Sequence, residues 1–230
     1  MPPSVVFFPG ATGSGDFWAP VAQRLPSDWA ATSLSWPGAG TVPSVPGIDG
    51  YADLVGLAAA AVPDGSDVVA QSMGGVVARA LALELQDAGL TVGVVIIDSD
   101  PPPVTLPSAE LLALAANASD PDGARGVLLR FFPESATSLS RPEKLIRLAA
   151  GLRALVGSEP QVRAIDGVYV RRGDAADPEA AAYWNRMCGG LLRVRTVPGG
   201  HFDLVGSEHA AALAGIIRTE VQRAARRPEA

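Results

Sequence analysis

Short apolar, β-branched runs alternate along the chain with longer stretches whose apolar positions recur at helical spacing. The runs Ser4–Phe8 (SVVFF), Ala30–Trp36, Ser66–Gln71, Val92–Asp98, Gly167–Arg172 and Leu191–Val197 predict strands. Helices are predicted over Asp16–Leu25, over Tyr51–Val62 and from Gly74 to Leu85, where Val77, Leu81 and Leu85 share one face. Gly89 supplies the left-handed cap that ends the third of these. A last helix is expected over Ser207–Ala225, with Ser207 as N-cap and Glu208 in its first turn. Apolar strands without polar alternation, separated by helices, predict a mostly parallel α/β sheet covered on both faces.

The rhythm breaks between Pro101 and Ala164. That stretch contains no strand pattern, while AELLALAANA and PEKLIRLAAGLRALV have helical spacing. It is far longer than an ordinary connection, so we expect a helical insertion at 101–164 lying as a lid over the strand ends; plain packing helices are the alternative. The 230 residues otherwise read as one domain, 1–230, with a substantial core.

Composition narrows the chemistry. A net charge of −6 disfavours bulk attraction to nucleic acid or to an anionic membrane. One cysteine, Cys188, allows no internal disulfide, and with two histidines it is too little for a His/Cys zinc site. The glycine-rich segment after the first strand lacks the Gly-Lys-Ser/Thr of a phosphate loop, and no cofactor is expected. No window approaches the roughly 20 apolar residues of a membrane span. The start MPPSVVFFPG lacks the features of a signal peptide, so the expected location is cytoplasmic.

One serine stands out. In VVAQSMGGVVARALALEL, Ser72 sits between a buried strand and an amphipathic helix, within Ala70-Gln71-Ser72-Met73-Gly74. This is the G-x-S-x-G elbow with alanine for the first glycine, a turn that holds a hydroxyl above the sheet. The bland alternative is an ordinary turn residue. As a nucleophile, Ser72 needs a base. His209 is expected to face solvent from the last helix. His201, in VPGGHFDLV just past a strand, is the candidate base, against a buried structural histidine. The Met73 amide, and that of Ala11 in the loop after the first strand, are the expected oxyanion donors; a plain glycine-rich turn is the alternative for the latter.

These segments resemble the α/β-hydrolase fold and, more narrowly, the thioesterases of polyketide and nonribosomal peptide biosynthesis. FFPGATGSGDFW resembles the type II opening Phe-Pro-His-Ala-Gly-Gly, with Gly10 in the histidine position. SWPGAG resembles Tyr-Pro-Gly-x-Gly, AQSMGG stands where the family has Gly-His-Ser-Met-Gly, and VPGGHFDLV resembles Pro-Gly-Gly-His-Phe. The matches run in order through Val205, apart from the insertion. They imply Ser72 as nucleophile, His201 as base, and Ala11 and Met73 as oxyanion donors.

Two aspartates compete for the triad acid. VRRGDAADP resembles the type II Gly-Asp-x-Asp-Pro, which points to Asp177, whereas GVVIIDSDPPP resembles the type I Ile-Asp-x-Tyr-Pro-Pro, which points to Asp98. Asp98 ends an uninterrupted apolar strand and is the better-held candidate; Asp177 remains the alternative. The resemblance implies an acyl or peptidyl carrier protein as partner, presenting an acyl thioester. A small-molecule carboxylesterase or lactonase, a non-catalytic hydrolase-fold binder and a carboxylate-bound metal hydrolase are the rivals.

Overall fold

The computed structural model describes residues 2–10, 13–36, 51–63, 65–99, 101, 161–173, 178–201 and 203–224. The elements run β1 (Ser4–Phe8), a 3₁₀ turn (Asp16–Trp18), α1 (Ala19–Ala22), β2 (Ala30–Ser33), α2 (Tyr51–Ala61), β3 (Ser66–Gln71), α3 (Gly74–Asp87), β4 (Val94–Ile97), β5 (Gly167–Arg172), α4 (Pro178–Met187), β6 (Leu192–Val197) and α5 (Ala210–Ala224). The strands form one sheet in the order β2-β1-β3-β4-β5-β6, and every pairing is parallel.

Each central strand buries both faces, and the alternation sorts its side chains into two cores. Val6, Phe8, Val68, Ala70, Val94 and Ile96 meet Val77, Leu81 and Trp184 from α3 and α4. Their neighbours Val5, Phe7, Val69, Val95, Ile97 and Val168 meet Trp18, Val21, Leu213 and Ile217 from the opposite layer. Burial of this apolar surface, at about 25 cal/mol per Å², is the main term holding the layers together. The edges are wetter: β2 is exposed along its length, and β6 carries Arg193 and Arg195. Charged edge strands resist pairing with other chains.

Two expected helices differ in extent. The helix expected over Asp16–Leu25 divides into a 3₁₀ turn and a short α-helix, because Pro20 at its start has no N–H to donate back along the chain. The last helix starts at Ala210, not Ser207. Its entry is closed by the Gly206 carbonyl, which accepts the amides of His209 at 3.2 Å and Ala210 at 2.9 Å, so Ser207 is an exposed turn residue and not the N-cap. Gly89 takes the left-handed conformation expected of it, at φ 82°. The insertion expected at 101–164 lies outside the described residues except for Pro101 and 161–164.

Candidate active site

From β1 the chain winds outward to β2 in one direction and to β3 in the other. The strand order therefore reverses between β1 and β3, and a crevice opens at their carboxyl ends. Gly10 follows β1 at this point, and Ser72 follows β3. A β-carbon on Gly10 would stand 3.1 Å from Ser72 Cβ and 3.6 Å from its Oγ, so a side chain there would press on the serine.

Ser72 adopts φ 54°, the left-handed region that L-residues avoid. Local bonds hold it there: its amide donates to the Ile97 carbonyl at 2.9 Å, and its own carbonyl accepts the Gly75 amide at 3.0 Å. Close approach of α3 to β1 completes the corner. A β-carbon on Gly74 would fall 2.5 Å from the Pro9 carbonyl oxygen, which leaves room for glycine alone. Met73 is the N-cap of α3, and amides at a helix start have no intrahelical acceptor. Ser72 and Met73 are both half-buried. Ala11 lies outside the described residues.

Asp98 leaves β4 with φ 42°, a second left-handed residue at the same sheet edge. Its amide donates to the Val170 carbonyl at 2.7 Å. The next carbonyl, of Ser99, accepts two buried donors, Trp184 Nε1 at 2.6 Å and Tyr169 Oη at 3.2 Å. Backbone strain of order 1–3 kcal/mol persists only where the surroundings over-determine it, as these bonds do. The carboxylate is thereby presented to His201, whose Nδ1 lies 2.6 Å from Asp98 Oδ2. Both side chains are largely buried, at 15% exposure for His201 and 11% for Asp98. A carboxylate only accepts, so Nδ1 is the donor in this contact, and in the neutral ring that tautomer leaves the lone pair on Nε2. Asp177 lies outside the described residues.

His209 does not face solvent as expected. It is half-buried, and a β-carbon on Gly199 would fall 2.6 Å from its Nε2. The Gly206 turn carries the ring against the loop that bears His201.

Residues 3–221 match the thioesterase-domain family. The chain belongs to that family. Among solved structures it is similar to RedJ, a thioesterase from the prodiginine biosynthetic pathway in Streptomyces coelicolor (22% identity, 96% of this chain and 91% of that one, TM-score 0.72). It is similar to BorB, the type II thioesterase from the borrelidin biosynthetic cluster (21%, 96% and 92%, TM-score 0.71). It is also similar to the NocB thioesterase domain, solved as a covalent complex with a fluorophosphonate nocardicin G analog (21%, 96% and 95%, TM-score 0.72). No curated protein sequence matches it. The thioesterase has the α/β-hydrolase fold, and its family is one of hydrolases.

Three residues near this thioesterase's His–Asp pair escaped the sequence reading. Gln71 is 5% exposed, and its Nε2 donates to the His201 carbonyl at 2.5 Å. Its signal was present: a polar residue directly after the apolar run Val68–Ala70, at the buried end of the strand, needs a partner. Arg172, at the end of β5, places Nε 3.8 Å from Asp98 Oδ2, the oxygen that His201 also meets. A strand-end arginine gives no sign in sequence of which carboxylate it will face. Trp184 packs in the core, and its indole N–H also holds the backbone beside Asp98.

Proposed function

We propose that this thioesterase releases or transfers acyl chains through an acyl-enzyme on Ser72, with His201 as base, Asp98 as the acid that orients it, and the Met73 and Ala11 amides as oxyanion donors. The observation that carries this reading is the 2.6 Å contact of His201 Nδ1 with Asp98, at the sheet edge that also bears the left-handed Ser72. His201 Nε2 takes the Oγ proton as the oxygen attacks the thioester carbonyl. The tetrahedral oxyanion is met by backbone amides at the start of α3. The thiol leaves with the proton from His201, and water, activated by the same imidazole, resolves the ester.

The substrate we propose is an acyl or peptidyl thioester on the arm of a carrier protein in polyketide or nonribosomal peptide assembly. The family and the kinship in fold to RedJ and BorB support it. We place the reaction in the cytoplasm, in keeping with the absence of any helix among the described residues long and apolar enough to cross a membrane.

The test compares wild type and Ser72→Ala on an acyl thioester of N-acetylcysteamine, the matching ethyl ester, and the same acyl group on a carrier protein. The reading expects Ser72→Ala to lose about 10³- to 10⁴-fold or more in kcat. It expects the thioester to outpace the ester and the carrier-bound form to have the highest kcat/KM. Turnover surviving in Ser72→Ala removes the acyl-enzyme; an ester preferred over both thioesters makes the protein a carboxylesterase in practice.

A further inference from the structure

Ser72 and His201 lie far apart in the chain, and a side chain spans the gap. Gln71 is the last residue of β3 and immediately precedes Ser72. Its Nε2 donates to the backbone carbonyl of His201 at 2.5 Å, across 130 positions of sequence. We infer that Gln71 is a positioning residue for His201, holding the histidine's backbone so that its ring reaches Asp98 on one side and Ser72 on the other. The inference rests on His201 being the base, as proposed above.

The loop that carries His201 shows why a tether there matters. Its entry is anchored by Val197 and its exit by Leu204, which are 1% and 0% exposed. Between them come Pro198, Gly199 at φ 103°, and Gly200, whose carbonyl accepts the amides of Asp203 and Leu204. Across the crevice, Asp98 holds the ring of His201 and Gln71 holds its main chain. A ring held at one nitrogen alone is free to follow its backbone. A second bond at the carbonyl fixes the Cα–Cβ direction and limits the imidazole to rotation about its own side-chain bonds. The donor stands one residue from the nucleophile, on the rigid end of a buried strand. Any movement of the strand therefore carries base and nucleophile together. Reaction geometry is unforgiving, and a displacement of about 1 Å costs as much as about 100-fold in rate.

The purified full-length protein is assayed with the N-acetylcysteamine thioester. Gln71→Met keeps the length and bulk of glutamine without a donor. Gln71→Asn keeps the amide but is one methylene too short. Gln71→His keeps an N–H donor of similar reach. The expectation is a fall in kcat of about 10- to 100-fold in the Met and Asn variants, with KM within about twofold of wild type, and recovery of most of the loss in the His variant. A far-downfield proton resonance from the His201 Nδ1–H is expected in wild type, as its 2.6 Å contact with Asp98 implies, and is expected to broaden or vanish in the Met and Asn variants. Should the Met variant fail to fold, the Asn variant decides. Wild-type kcat with an intact resonance in either folded variant overturns the inference and leaves the amide a core-filling group. His201→Ala separates the two levels. An active His201→Ala removes the underlying reading, whereas an inactive one beside fully active Gln71 variants removes this inference alone.

Discussion

Asp98 stands in a conformation that few non-glycine residues adopt, and four bonds to it and its neighbour Ser99 hold it there: the Val170 carbonyl, the His201 ring, and the Trp184 and Tyr169 donors on the Ser99 carbonyl. An arrangement so constrained has one geometric product, a carboxylate oxygen fixed against Nδ1. Asp98→Asn keeps the shape but offers its carbonyl or its NH2 group in place of a charged acceptor, which weakens the hold on the imidazole tautomer. We expect kcat to fall about 10³- to 10⁴-fold in steady-state assays, with KM little changed. Near-wild-type turnover in this variant would remove the pair from the mechanism. At this scale the sequence was informative about residue types. A serine at a strand-to-helix corner and a histidine after Pro-Gly-Gly can be picked out from a string of letters. The partner of Gln71 cannot, because a hydrogen bond over 130 positions leaves no local trace.

Among the elements, α3 does most to shape the site, and it does so by lying unusually close to the sheet. A β-carbon on Gly75 would stand 2.6 Å from Ser99 Oγ and 2.9 Å from Ile96 Cγ2. Gly75→Ala should therefore push helix and β4 apart, costing about 1–3 kcal/mol in chemical denaturation, and should move Ser99 along with the adjoining Asp98. Loss of turnover in proportion larger than the loss of folded protein is the expected signature; unchanged stability would mean that the helix can shift freely. Strands were the most legible elements. Ser4–Phe8, Ser66–Gln71 and Gly167–Arg172 have the predicted bounds, since each is an apolar run closed by polar or turn-forming neighbours. Helix ends were read less well. At Ser207 a favourable cap residue was present, but the backbone turn at Gly206 closed the helix entry first.

The whole molecule sets one pH limit through a group remote from the crevice. Cys188 is fully buried behind α4, and burial pushes its thiol from an ordinary 9.0 up to about 11, against a smaller downward pull from Arg79. The folded chain thus keeps its proton at a pH where the unfolded chain has released it. The stability this contributes is complete below about pH 9 and is lost as pH climbs towards 11. Comparing wild type with Cys188→Ala by denaturant titration across that window should show wild type losing of order 2 kcal/mol more than the variant. Parallel slopes would mean that the thiol titrates normally. Folded protein should also resist alkylation at pH 8, because the reactive thiolate is scarce.

Read as a string, the chain commits to alternating strands and helices, a two-faced core and a hydroxyl lifted at one corner. These follow from short-range periodicity and turn chemistry, which neighbouring residues carry among themselves. That His201 meets Asp98, that Gln71 ties its backbone beside Ser72, and that Arg172 leans on the same carboxylate belong to the folded sheet alone. Strand order sets which loop ends share a crevice, and that order arises from the packing of distant segments on one another, so no local stretch of sequence contains it.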